Sequence, residues 1–83
     1  MTENSEWRAR IRIDPAIHHG DPCVAGTRVP VSIIVGSIAA GDSFEQILRS
    51  YPQLTGEDIR AALLFAAEAV NRFDLVPWSQ QNP

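Results

Sequence analysis

Two helix-start signatures stand twelve residues apart with a proline between them, and they limit much of what this 83-residue chain can become. Ser43 offers a side-chain oxygen to a helix opening at Phe44, and Gln46, three residues on, can return a bond to the Ser43 backbone N–H. Thr55 and Asp58 repeat the arrangement with a shorter return partner. Pro52 cannot continue a helix, so the first of the two must end near Ser50. A short helix, a break and a second helix have the proportions of a helix-turn-helix, although a plain small bundle contains the same pair.

Upstream, Val31, Ile34, Val35 and Ile38 recur at the spacing of one helical face, and Gly41 stands where a left-handed residue would close that helix. Downstream, Ile59, Leu63, Ala66, Val70 and Phe73 form a stripe with Leu64 and Phe65 beside it. That apolar surface is wider than one small core needs, and it implies a covering partner. Before the helices, Trp7 to Ile13 alternate, with Trp7, Ala9, Ile11 and Ile13 on one side and Arg8, Arg10 and Arg12 on the other. The period predicts a half-buried strand, ended by Asp14-Pro15. A very short second strand is expected at Thr27 to Val29, after a turn at Gly20-Asp21-Pro22. The expected fold is therefore mainly α within the α+β class, a three-helix bundle preceded by a β-arm. Residues 1–6 form a loose start, 7–73 one domain (arm 7–30, bundle 31–73), and 74–83 a tail with apolar anchors.

Charge narrows the function. The formal net charge of −3 argues against coating nucleic acid without specificity, because that affinity comes from neutralising phosphates. All seven cations are arginine, and Arg8, Arg10 and Arg12 are clustered. Paired across two copies, they would line one face of a ribbon able to grip phosphate; alternatively they are the charges of a solvated edge strand that resists aggregation. The start of the third helix carries Glu57 and Asp58, leaving Arg60 as its cation near a base edge.

His18, His19, Asp21 and Cys23 put four metal-ligand types within six residues, but no second couple of His or Cys follows, so a turn-rich loop and no metal is the expectation. No phosphate-cradling glycine loop or HExxH occurs, and Cys23 with a nearby histidine lacks an orienting third group. The chain is expected to be no enzyme, with no catalytic residue and no cofactor. A lone cysteine, no leader-like start and no apolar run of membrane-spanning length suggest the cytoplasm and no membrane partner.

Taken together, Ile13-Asp14-Pro15, Gly20 to Val31, Ala40-Gly41, Tyr51-Pro52 and Leu54 to Ile59 resemble the domain of unknown function 433 (DUF433) family over about residues 11 to 67. The resemblance implies a homeodomain-like unit behind a β-arm, and a role like that of VapB-type antitoxins. Such a protein forms a homodimer, silences a PIN-like ribonuclease toxin and represses its own promoter DNA. By position, Gly26, Thr27 and Arg28 would hold the arm to the bundle, and Ser43 to Arg60 would face DNA. With the Arg8, Arg10 and Arg12 ladder read from the sequence itself, the expected DNA-contact set is Arg8, Arg10, Arg12, Arg28, Ser43, Gln46, Thr55 and Arg60. Asp21 departs from the family, where lysine is frequent, which removes a cation from that loop. In the tail, Phe73, Leu75, Val76 and Trp78 are the expected toxin anchors, and folding of Trp78 back onto the third helix is the competing reading. A stand-alone regulator and an interaction adaptor are the alternative functions.

Overall fold

A computed structural model describes residues 6–16 and 18–72. A 3-10 helix, Glu6–Arg10, leads into strand β1, Ile11–Arg12, which pairs antiparallel with β2, Cys23–Val24, in the register Ile11 to Val24 and Arg12 to Cys23. Three helices follow: α1, Val31–Ala39; α2, Phe44–Ser50; and α3, Gly56–Arg72. The protein is mainly helical with a small sheet at its N-terminal end, an α+β fold.

Each cap does what its residues imply. Ser43 Oγ accepts the Gln46 N–H at 3.1 Å while Gln46 Oε1 accepts the Ser43 N–H at 2.7 Å. At α3, Thr55 Oγ1 accepts the Asp58 N–H at 3.2 Å and Asp58 Oδ2 accepts the Thr55 N–H at 2.9 Å, so the shorter aspartate closes the box after all. Helix α1 ends in paired bonds, Gly41 N–H to Ile38 O at 2.9 Å and Asp42 N–H to Ser37 O at 3.0 Å, with Gly41 at φ 101°. That is a Schellman closure, which needs a left-handed residue at this point.

Ile34, Ile47 and Ile59, one from each helix, meet in the core with Val24 from the arm and Leu54 from the turn before α3. Helix α1 buries Val31 and Ile34 and half-buries Val35 and Ile38, the face its spacing predicts. Helix α3 is 17 residues long against nine for α1, about 25 Å against 13 Å. Its second half therefore outruns the core: Leu64 is 43% exposed and Val70 63%.

Two expectations about the arm are corrected. Residues 7–10 do not extend as a strand but coil into the 3-10 helix. A seven-residue strand would need a seven-residue partner, and β2 offers two residues before its turn begins, so the coiled backbone satisfies hydrogen bonds that an extended one would leave open. Nor is Thr27 to Val29 a strand. Thr27 Oγ1 donates to Val24 O at 2.8 Å and accepts the Val29 N–H at 3.0 Å, a local side-chain turn that competes with strand pairing; the second strand lies earlier, at Cys23–Val24. Gly26, at φ 80°, makes that turn possible.

Candidate macromolecule-binding face

The arm lies against α3, and its arginines hold it there. Arg8 forks onto Glu68, Nη1 donating to Oε1 and Nη2 to Oε2 at 3.0 Å, and its guanidinium carbon sits 4.6 Å from the centre of the Trp7 ring. Arg72, one turn on from Glu68, donates to Oε2 at 3.2 Å. Two positions along the arm, Arg10 Nη1 donates to Asp58 Oδ1 at 3.0 Å. Asp58 is thus shared: one oxygen caps α3, the other anchors the arm. The carboxyl of Glu68 is held below the usual glutamate range, first by the hydrogen bond from Arg8, with Arg8 and Arg72 charges adding to it and partial desolvation opposing.

The expected ladder of three arginines on one open face is therefore not what forms. Arg8 and Arg10 turn to α3 carboxylates, whereas the Arg12 side chain is exposed and makes no hydrogen bond or ion pair among the described residues. Arg60 on α3 is likewise exposed and without such a partner among them, and Arg28 is exposed in the turn after Gly26. Ser43, Gln46 and Thr55 all lie at the surface, but their side chains close helix caps. Around the Gly26–Arg28 turn, Val24 N–H donates to Val29 O, Ala25 N–H to Arg10 O at 2.7 Å, and Val31 N–H to Pro22 O at 2.9 Å. Phe73, Leu75, Val76 and Trp78 lie outside the described residues.

Between the arm and the second half of α3 runs an open groove of about 450 Å³. Trp7, Ile11, Ile13, Phe65 and Ala69 form its apolar walls, with Ile13 58% exposed. Its polar rim is the Arg8–Glu68–Arg72 network. Such a surface suits an apolar segment more than a phosphate backbone, since the nearby cations already face carboxylates. Asp58 and Glu68, which organise this face, are absent from the sequence-derived site. The signal was present: Asp58, Ala61, Phe65, Glu68 and Arg72 fall at heptad spacing, one stripe of a helix, and two of the five are acids facing a basic arm.

Around Cys23, burial first and the nearby Asp21 charge second push the thiol up, and Sγ donates to Asp21 O at 3.5 Å. The thiol is therefore protonated and packed, not poised as a nucleophile. Among the described residues, no three His, Cys, Asp or Glu side chains gather as a metal site.

Residues 11–66 match the family described as "Protein of unknown function (DUF433)". The chain belongs to the DUF433 family. A relative from Sinorhizobium fredii, named Uncharacterized protein y4eO, is 44% identical over 59 residues, which make up 71% of this DUF433 chain but 27% of the relative. Among solved structures, a DUF433 member protein from Anabaena variabilis is similar at a TM-score of 0.71 and 30% identity, covering 76% of this chain and 62% of that one. The chain thus spans about a quarter of the curated relative and under two thirds of the solved DUF433 protein. No helix of the described residues is long and apolar enough to cross a membrane.

Proposed function

We propose that this DUF433 protein is the antitoxin of a toxin–antitoxin pair, working in the cytoplasm as a binding protein and not as an enzyme: it neutralises a PIN-like ribonuclease by direct contact and, as a homodimer or complex, represses its own promoter. The observation that carries the protein-binding half is the open apolar groove that the described residues of the arm and α3 form, ending at the helix end from which Phe73, Leu75, Val76 and Trp78 follow in sequence. An interface built there would have an apolar centre and a polar rim, the usual anatomy of a specific contact.

The DNA half rests on the α2–α3 order and on Arg12, Arg28 and Arg60, which stay exposed. With Glu57 and Asp58 in the first turn of α3, that helix reads bases weakly, and phosphate contacts from these arginines supply most of the affinity. A second reading, an interaction adaptor that has no nucleic-acid partner, is favoured by one fact: the homologous region makes up about a quarter of a longer relative.

Co-expression of the tagged chain with the product of its adjacent gene tests the first reading. A stable complex that relieves growth arrest caused by the neighbour supports it; a harmless neighbour that does not co-purify overturns it. For the DNA half, alanine at both Arg12 and Arg60 should flatten the salt dependence of promoter binding by about two phosphate contacts per subunit, while Arg8→Ala leaves the slope nearly unchanged. A slope that responds to Arg8 instead would return the arm to the phosphates.

A further inference from the structure

The apolar groove between the arm and α3 is edged by more positive than negative charge, and that edge selects what lies in it. We infer that the groove takes an acidic amphipathic helix of the protein partner, its apolar face against Trp7, Ile11, Ile13, Phe65 and Ala69 and a carboxylate turned to Arg72. This rests on the protein-binding half of the function proposed above and names the chemistry of the segment that binds.

Shape is the first argument. The α3 wall runs from Phe65 to Arg72, seven residues or about 10 Å, which is about two helical turns. A helix laid along it covers that length with apolar side chains at i, i+4 and i+7, the spacing by which helices fill grooves. Ala69, small and exposed, stands between Phe65 and Arg72 and lets a neighbouring helix approach closely. The Trp7 ring has the Arg8 guanidinium carbon 4.6 Å from its centre, and Arg8 is forked onto Glu68. That aromatic wall is therefore ordered before a partner arrives, which lowers the entropy lost on docking. A volume of about 450 Å³ is in the range of sites that enclose a few side chains.

Charge is the second argument. The groove is lined by two cations, Arg8 and Arg72, and one anion, Glu68. Both Glu68 oxygens accept from Arg8, and Oε2 accepts from Arg72 as well, at 3.2 Å. Arg72 thus holds a share of a carboxylate that Arg8 already grips, and its side chain is 75% exposed. A partner carboxylate reaching it gains a charge-assisted hydrogen bond, whereas a basic segment meets like charge there. A smaller hollow that also touches Trp7, about 170 Å³, has no such bias, because Glu6 and Glu57 balance Arg10 and Arg60. The preference for an acid belongs to the groove and not to the arm as a whole.

The test titrates the isotope-labelled full chain with two amidated helical peptides of about fourteen residues. Both carry leucine at i, i+4 and i+7, and they differ only in flanking glutamates or lysines. In NMR spectra the glutamate peptide should move the Trp7 indole N–H and the Ile13 and Ala69 methyl signals, and bind about three- to tenfold more tightly than the lysine peptide. Added salt should narrow that gap. Arg72→Glu, at an exposed position away from the apolar walls, should reverse the order of the two peptides with helical circular dichroism unchanged. Equal binding, a tighter lysine peptide, or a preference that survives Arg72→Glu overturns the inference, as do shifts confined to residues outside the groove. Groove signals that move with the chain's own concentration and ignore both peptides place a second copy there, which overturns it too. An adjacent-gene product that co-purifies while neither peptide moves the groove signals overturns this inference and leaves the antitoxin reading standing. A harmless neighbour beside a groove that prefers the glutamate peptide removes the toxin and upholds the acidic preference.

Discussion

Asp58 is the residue at which the fold and the fate of the arm meet, and removing its carboxylate separates the two. In Asp58→Ala, α3 loses the return bond from the Thr55 N–H, about 1 kcal/mol for a capping interaction at a part-buried helix start. Loss of an anion from the first turn adds about 0.5 kcal/mol. The bond to Arg10, whose side chain is 44% exposed, contributes about 0.5 kcal/mol after solvent screening. Alanine's better helix propensity recovers about 0.5 kcal/mol, so the net loss is roughly 1.5 kcal/mol. For a domain of this size that lowers Tm by about 6–12 °C. Asp58→Asn keeps an acceptor for Thr55 and should cost roughly half as much. Arg10→Ala should cost about 0.5 kcal/mol alone and almost nothing in the Asp58→Ala background, a coupling that a double-mutant cycle in urea unfolding followed by circular dichroism reads directly. A coupling of zero would mean that Arg10 is not tied to α3. The reasoning that takes Arg10 away from phosphate would then fail with it.

Other outcomes follow from single features. Glu68 is held ionised chiefly by Arg8, so its contribution is fully present above the ordinary glutamate pKa and is lost as pH falls through its lowered folded value. Side-chain carboxyl titration by NMR should show Glu68 moving up toward the ordinary range in Arg8→Ala, and an unmoved titration would contradict the fork. Ile34→Ala empties a fully buried site at the meeting of the three helices and should cost about 2–5 kcal/mol in chemical unfolding, enough to leave much of the chain unfolded. Gly41→Ala, at φ 101°, should cost about 1–2 kcal/mol although a Cβ there meets no atom, because the penalty is conformational; a neutral result would refute the Schellman closure of α1.

The helices were legible because their signals are local. Ser43 with Gln46, Thr55 with Asp58, Pro52 and Gly41 each act within one turn of backbone, and the structure places each where its chemistry demands. The arm was not legible in the same way. Alternation from Trp7 to Ile13 is compatible with a strand, but a strand exists only if another segment pairs with it, and the partner was shortened by the Thr27 hydroxyl capturing its own turn. Two short-range hydrogen bonds therefore decided a feature that periodicity over seven residues could not.

The same reversal changes what the arginines mean. As a strand, the arm would present Arg8, Arg10 and Arg12 side by side to a ligand; as a 3-10 helix against α3, it hands two of them to Glu68 and Asp58 and leaves Arg12 outward. Carboxylates about three turns apart on α3 thus convert a basic stretch into a clamp, and the clamp in turn holds the arm along α3, where Trp7, Ile11 and Phe65 line the groove. A chain of net charge −3 gains little by offering those cations to DNA, since each would have to leave a carboxylate before meeting a phosphate, leaving that carboxylate unpaired beside it. Surface chemistry on this side of the molecule therefore favours an apolar segment as occupant, and nucleic acid, where it is bound, meets the arginines that the clamp does not use.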